Sequence, residues 1–326
     1  KMIAGKRIHG ISATPGGVHK KISAHERDFF LNGKEIPSVD AMIEWSREIL
    51  EFIKVYHSKN RSWFDEFATF PSGHLGLVDK KTGNLELYDG YLRAIDASGK
   101  ITLDDIPADT YQNYFYEGVE KWSYLKFPYL KHLGREQGWN RVGPLARMNV
   151  SEGISTPLAA FERLSFLNAT RGKTNNASMY SHWARLIELL HCAELMKDLL
   201  EDDDILGSDL VRRGNRRNEG IGIIEAPRGT LIHHYQVDEK DRITRCNLIV
   251  STTHNNEAMN RAVGAVAETL VHDGQIKEAD RNKLEMAIRC FDPCLSCSTH
   301  AVGQMPLVVE INSTSGERLS GFTCGN

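Results

Sequence analysis

The stretch NASMYSHWARLIELLHCAELMKDLL, residues 176–200, decides the fold. Met179, Trp183, Leu186, Leu190 and Ala193 recur in it at steps of four and three, which places one apolar stripe along an α-helix. At about 1.5 Å per residue such a helix spans most of a domain, so a helical core is predicted. Working outward, Glu201 to Asp204 and then Arg212, Arg213, Arg216 and Arg217 follow it. Acidic clusters can hold hard cations and arginine clusters phosphates, but helix-end and loop charge facing solvent is the simpler reading of both. Upstream, residues 101–175 are aromatic (Trp122, Tyr124, Phe127, Tyr129) without a strong period, and loops with short helices are expected there.

Farther out the pattern alternates between element types. Ser38 and Asp40 precede a predicted helix over 39–58, with Met42, Trp45, Ile49, Phe52 and Ile53 as its buried face. His74 to Val78 and Leu85 to Tyr88 read as a hairpin around Lys80 to Asn84. Residues 220–237 and 243–251 read as an antiparallel pair. Asn255 and Asn256 open a helix to His272, and another runs from Ile276 to Cys290. Leu307 to Ile311 and Arg318 to Phe322 flank Ser313 to Glu317 as a last hairpin. No Gly-, Pro- or Ser-rich linker separates two domains. The class is α+β, predominantly helical, with small peripheral β-hairpins.

Composition narrows the function. The 326 residues are 41% hydrophobic and 25% charged, ordinary for a globular chain. Forty basic against forty-three acidic side chains give a net charge of −3, which offers no electrostatic case for nucleic acid or an anionic membrane. No apolar run approaches the length of a membrane span, and Lys1 to Gly10 lacks a signal-peptide core, so a cytoplasmic location is expected. The opening at Lys1 in place of Met reads as a piece of something longer. Six cysteines are too few for a disulfide scaffold, yet Cys290, Cys294 and Cys297 crowd together, which points to metal or redox chemistry.

The segment Asp292-Pro293-Cys294-Leu295-Ser296-Cys297-Ser298-Thr299-His300 carries that chemistry. A Cys-x-x-Cys pair sets two thiolates within reach of one soft or borderline metal, and His300 could bind the same ion or a neighbour. Structural zinc through Cys290, Cys294, Cys297 and His300, a redox dithiol, or half of a larger metal centre all satisfy this pattern. Glu225-Ala226-Pro227-Arg228-Gly229 is the second segment. Pro227 and Gly229 restrict and permit backbone angles so that Arg228 is either held at one place, donating to an anionic metal site, or is a plain surface arginine on a turn. His233 and His234 point to opposite faces of a strand, so at most one faces any site.

Together with Arg7-Ile8-His9, Pro15-Gly16-Gly17, Val142-Gly143-Pro144-Leu145-Ala146-Arg147-Met148-Asn149 and Trp183-Ala184-Arg185-Leu186-Ile187-Glu188, these segments resemble the large subunit of [NiFe]-hydrogenases nearly end to end. Lys121 to Pro128 and Gly303-Gln304-Met305-Pro306 resemble its cytosolic, bidirectional NAD(P)-linked or viologen-linked group most. The resemblance implies the long-helix fold of that subunit, with reversible H2 oxidation as its activity. It implies that Cys294 is a terminal nickel thiolate and that Cys297 bridges nickel to an iron carrying cyanide and carbonyl, an Ni-Fe(CN)2(CO) centre. Arg228 would lie over the open face with Asp292 beside it, and His300 would bind magnesium in the mature form. Implied partners are a small iron–sulfur subunit, NAD(P)-reducing diaphorase subunits, nickel-insertion proteins and a maturation protease.

The sequence departs from that family in two respects. The family's first cysteine pair, in an N-terminal Arg-x-Cys-Gly-x-Cys motif, and its proton-transfer glutamate have no counterpart here, and Cys192, Cys246, Cys290 and Cys324 are isolated. Residues 301–326 continue past the histidine at which mature large subunits stop. The expectation is therefore a large-subunit core over residues 1–300 without its N-terminal part, followed by an extension over 301–326 resembling the piece removed on maturation, inactive alone. A metal-free structural subunit of an electron-transfer complex and a zinc-stabilised interaction protein are the rivals.

Overall fold

Ser38 shows how local chemistry starts the first long element. The computed structural model describes residues 3–6, 10–33, 36–294 and 307–324. A short ribbon, β1 (Ala13–Thr14) with β2 (Gly17–Val18), leads to α1 (Ala24–Asn32), whose start is closed by a reciprocal capping box between Ser23 and Glu26. The Ser38 hydroxyl then accepts from the Ala41 N–H and opens α2 (Val39–Lys59), followed by α3 (Arg61–Glu66). The bounds of α2 are those expected, but its face is rotated. Val39, Ile43, Leu50 and Ile53 are buried, while Trp45, Ile49 and Phe52 are 55%, 44% and 65% exposed. Because α2 is apolar around most of its circumference, its packing against the helix Tyr180–Glu201 selects the buried stripe.

Next come β3 (Gly73–Val78), β4 (Tyr91–Ile95), β5 (Ile101–Ile106), β6 (Phe115–Glu120), β7 (Ser123–Leu130), α4 (Gly134–Gly138), β8 (Asn140–Arg141), α5 (Pro144–Val150) and α6 (Pro157–Ala169). One sheet has the order β5-β4-β3-β8, with β8 parallel to β3, and β6 pairs with β7 as a separate hairpin. Two expectations are corrected here. The partner of β3 is β4, and Leu85 to Tyr88 supplies only a bridge from Leu85 to Val78. The carboxylates of Asp79 and Glu86 accept from nearby backbone N–H groups and fold that stretch into turns. Residues 101–175 contain strands as well as short helices. The β6–β7 hairpin leaves Tyr116, Val119, Trp122 and Tyr124 exposed while burying Phe115, Phe127 and Leu130, so apolar residues lie on both faces and no period of two shows in the sequence.

The stripe at 176–200 becomes α7 (Tyr180–Glu201), with Trp183, Ala184, Ile187, Leu190 and Ala193 buried against α2, α5 and α6. Polar residues inside this stripe also work. Glu194 accepts from Leu158 N and Ala159 N, both at 2.9 Å, and so caps α6 from another helix. The acidic and arginine clusters after α7 are exposed.

A three-stranded sheet follows, β9 (Glu219–Ala226), β10 (Gly229–Val237) and β11 (Ile243–Ile249), with β10 central. The pairing of β10 with β11 is the expected one, but 220–237 is two strands. Ala226 pairs directly with Gly229, which leaves Pro227 and Arg228 as the turn between them. Then come α8 (Ser251–His254), α9 (Asn256–Leu270), α10 (Arg281–Arg289) and the terminal hairpin β12 (Leu307–Asn312) with β13 (Arg318–Cys324). The helix expected from Ile276 begins five residues later, because Glu278–Asp280 is a 3-10 turn. The hairpin docks through Ser320 Oγ on Gly274 O (2.7 Å) and through Phe322 under the Arg281 guanidinium. Among the described residues no helix is long and apolar enough to cross a membrane.

Candidate metal centre

Four elements meet where the chain leaves α10. Asp292 sits at φ +49°, a left-handed turn that swings the chain off the helix end, and its N–H still reaches Arg289 O. Two residues on, Cys294 N approaches Thr252 Oγ1 at 3.4 Å. From the β9–β10 turn, Arg228 Nε donates to Asp292 O at 2.6 Å and lies 3.4 Å from its Oδ2. The guanidinium is therefore anchored to Asp292 instead of extending freely into solvent. Cys297 and His300 lie outside the described residues, as do Arg7, Ile8, His9 and 301–306.

Backbone crowding fixes that turn. Gly229 has φ +129°, and a Cβ there would fall 2.4 Å from Val142 Cγ2 and 2.7 Å from Gly143 N. Gly143, at φ +99°, lies against Arg228 O in the same way. The Asn255 side-chain amide spans Val142, accepting from its N–H and donating to its carbonyl, and Ser251 Oγ donates to Gly229 O at 2.7 Å.

The wall beside Asp292 and Cys294 is cationic. Arg185 Nη2 donates to Cys290 O at 3.1 Å, and its Nη1 meets His182 Nδ1. Arg141, 2% exposed, donates to Ser178 Oγ and Phe70 O and stacks on the Phe70 ring, with Phe291 also in reach of its guanidinium. The Nε of each of these two arginines is buried without a hydrogen-bond partner. Burial lowers the pKa of Arg141 to about 9. Burial, then the Arg185 charge, lowers that of His182 to about 4, so the imidazole is neutral at pH 7. Arg141, Arg185 and Arg228 thus gather positive charge around the segment that carries the Asp292 carboxylate, and two of the three hold an orphaned buried donor. That arrangement fits an anionic group bound beside the segment that leads into Cys294.

Cys290, one of the four residues of the zinc reading, faces the helices behind the site. The Cys290 thiol is buried, points to Met286 O (3.3 Å) and Met179 Sδ (3.7 Å), and burial pushes its pKa up to about 12. His234 is buried between Tyr111, Gln112 and Glu219, as packing would have it. Among the described residues no three His, Cys, Asp or Glu side chains are grouped to hold an ion.

Residues 90–300 match the nickel-dependent hydrogenase family. The chain belongs to that family. It is 47% identical over 97% of its length to the beta subunit of the NAD-reducing hydrogenase HoxS of Cupriavidus necator, and 37% identical over 97% to a polypeptide of the F420-non-reducing hydrogenase vhc of Methanococcus voltae. It spans 65% and 66% of the length of those two relatives. It superposes with a TM-score of 0.85 at 45% identity on an NAD+-reducing [NiFe]-hydrogenase in the H2-reduced state, covering 91% of this chain and 64% of that one. The hydrogenase large-subunit fold expected from the motifs is the fold observed. Sequence reading assigned no role to Arg141, Arg147, Arg185 or Glu188. Their signal was charge inside otherwise apolar runs, where an unpaired group is too costly to be idle.

Proposed function

We propose that this chain is part of the catalytic large subunit of a [NiFe]-hydrogenase and supplies Cys294 and Cys297 as two of the four thiolates of its nickel–iron centre. The remaining pair would come from sequence not in this chain, so the chain alone would be inactive. When bound, the Ni-Fe(CN)2(CO) group supplies the site at which H2 is split heterolytically and electrons are stored. Arg228 would contribute a fixed positive charge and hydrogen-bond donors to that centre, and Asp292 holds the guanidinium in place through its carbonyl and carboxylate. Arg141 and Arg185 hold positive charge beside Cys290 and Phe291, which lead into Cys294. His300 would bind magnesium in the mature form. The anchoring of Arg228 beside Asp292, two residues before Cys294, is the observation that carries this reading.

The similarity to an NAD-reducing hydrogenase beta subunit supports an assembly in which electrons pass to a small iron–sulfur subunit, then to NAD(P) through diaphorase subunits in the cytoplasm. Nickel-insertion proteins would load the site before a maturation protease removes 301–326. In the assembled enzyme, Cys294→Ser and Cys297→Ser are expected to abolish H2-dependent dye reduction and lose nickel, because a hydroxyl stays protonated and binds nickel poorly. Arg228→Lys is expected to retain nickel and lose at least about tenfold in turnover, roughly 1.4 kcal/mol of barrier. Full activity in either cysteine variant, or a loss within about twofold in Arg228→Lys, overturns the site assignment.

A further inference from the structure

Arg147 lies one layer beneath the turn that presents Arg228. It is on α5, 1% exposed, and each of its five N–H groups has an acceptor. Nε and Nη2 bind the Glu188 carboxylate of α7 at 2.6 and 2.5 Å. Nη1 binds Glu225 Oε2 at 2.6 Å. The two remaining donors go to the turn backbone, Nη1 to Ala226 O at 3.0 Å and Nη2 to Pro227 O at 3.2 Å. Glu225 is tied down in turn, since its Oε1 accepts from Thr230 Oγ1 (2.7 Å) and Leu77 N (3.0 Å). Burial opposes the charge on Arg147, but Glu188 and Glu225 outweigh it and raise its pKa, so the guanidinium stays ionised.

We infer that Arg147 is the positioning residue for Arg228, an inference that rests on the role proposed for Arg228 above. The carbonyls of the two residues immediately before Arg228 both end on one buried guanidinium. That guanidinium is held to the long helix α7 through a two-point carboxylate contact, which fixes direction as well as distance. The Cα of Arg228 therefore takes its place from α7 and α5, and only its outer end takes its place from Asp292. Lysine at 147 keeps the charge but cannot bind two carboxylates and two carbonyls at once, so the turn loses its orientation.

The test uses the assembled, nickel-loaded enzyme with Arg147→Lys, Arg228→Lys and the double variant. Nickel content, H2-dependent dye reduction and hydrogen exchange of the 225–230 peptide are measured on each. Arg147→Lys is expected to keep its nickel, to lose about tenfold in turnover, and to exchange the 225–230 amides about tenfold faster, as small misplacement of a site group allows. The double variant is expected to be no slower than Arg228→Lys alone within about twofold, because a residue acting through another adds nothing once that other is replaced. Should Arg147→Lys not assemble, Glu188→Gln, which keeps the volume and one acceptor, is read in the same way. Losses that multiply in the double variant, unchanged exchange at 225–230, or nickel lost from Arg147→Lys but kept in Arg228→Lys each overturn the positioning role while leaving the Arg228 reading intact. Wild-type turnover in Arg228→Lys overturns that reading and this inference with it.

Discussion

Gly229 shows how a single residue constrains the site. Its φ of +129° is a conformation other residues avoid, and the space a Cβ would need is already taken by Val142 and by Gly143 N. Gly229→Ala is expected to destabilise by about 1–3 kcal/mol from backbone strain alone, with the overlap adding to it. A drop of several degrees in melting temperature would accompany that. A melting temperature within a degree of wild type would show that the turn yields, and the fixed placement of Arg228 would not stand. The Gly229 strain was legible beforehand only as permission for unusual angles. The need for glycine comes from Val142 and Gly143, more than eighty residues earlier in the chain.

At the scale of elements, α2 is the instructive case. Hydrophobic spacing located the helix, but two overlapping apolar stripes run along it, and periodicity alone does not rank them. Leu50 is fully buried and Phe52 is 65% exposed. Leu50→Ala is therefore expected to cost about 2–5 kcal/mol, whereas Phe52→Ser is expected to stay within about 0.5 kcal/mol, as surface changes do. Thermal melts of the two variants side by side check this, and a larger loss from Phe52→Ser would restore the face read from the sequence. The strands of 101–130 escaped notice for a related reason. Their exposed aromatics hide the alternation that marks a half-buried strand.

For the whole molecule, buried histidines set the acid limit. Burial lowers the pKa of His74, near the Arg141 charge, to about 3, and that of His254, packed against Phe115, also to about 3. Both are neutral in the folded state, while an unfolded histidine takes up a proton near pH 6.5. Their contribution to stability is complete above about pH 6.5 and is lost progressively as pH falls toward 3, because the unfolded chain binds more protons there. Replacing one of them removes its share. Between pH 7 and pH 5, His254→Phe is expected to lose about 2 kcal/mol less stability than wild type, read from urea midpoints. Parallel midpoint curves would mean that His254 is protonated in the fold.

The sequence by itself determined the local features, those that depend on spacing and on neighbours within a turn or two. These are the α7 stripe, the Ser38 cap, the β10–β11 and terminal hairpins, and the ordered motifs around Arg228 and Cys294 that mark a nickel-dependent hydrogenase. Tertiary structure alone decided which face of α2 is buried, that Cys290 is a neutral packed thiol, and that Arg147 joins α5, α7 and the β9–β10 turn. Burial and partnering belong to pairs of residues far apart in the chain, such as Arg147 and Glu225 at 2.6 Å across 78 positions. A one-dimensional pattern shows that a buried charge must have a partner, but only the folded chain brings the partner to it.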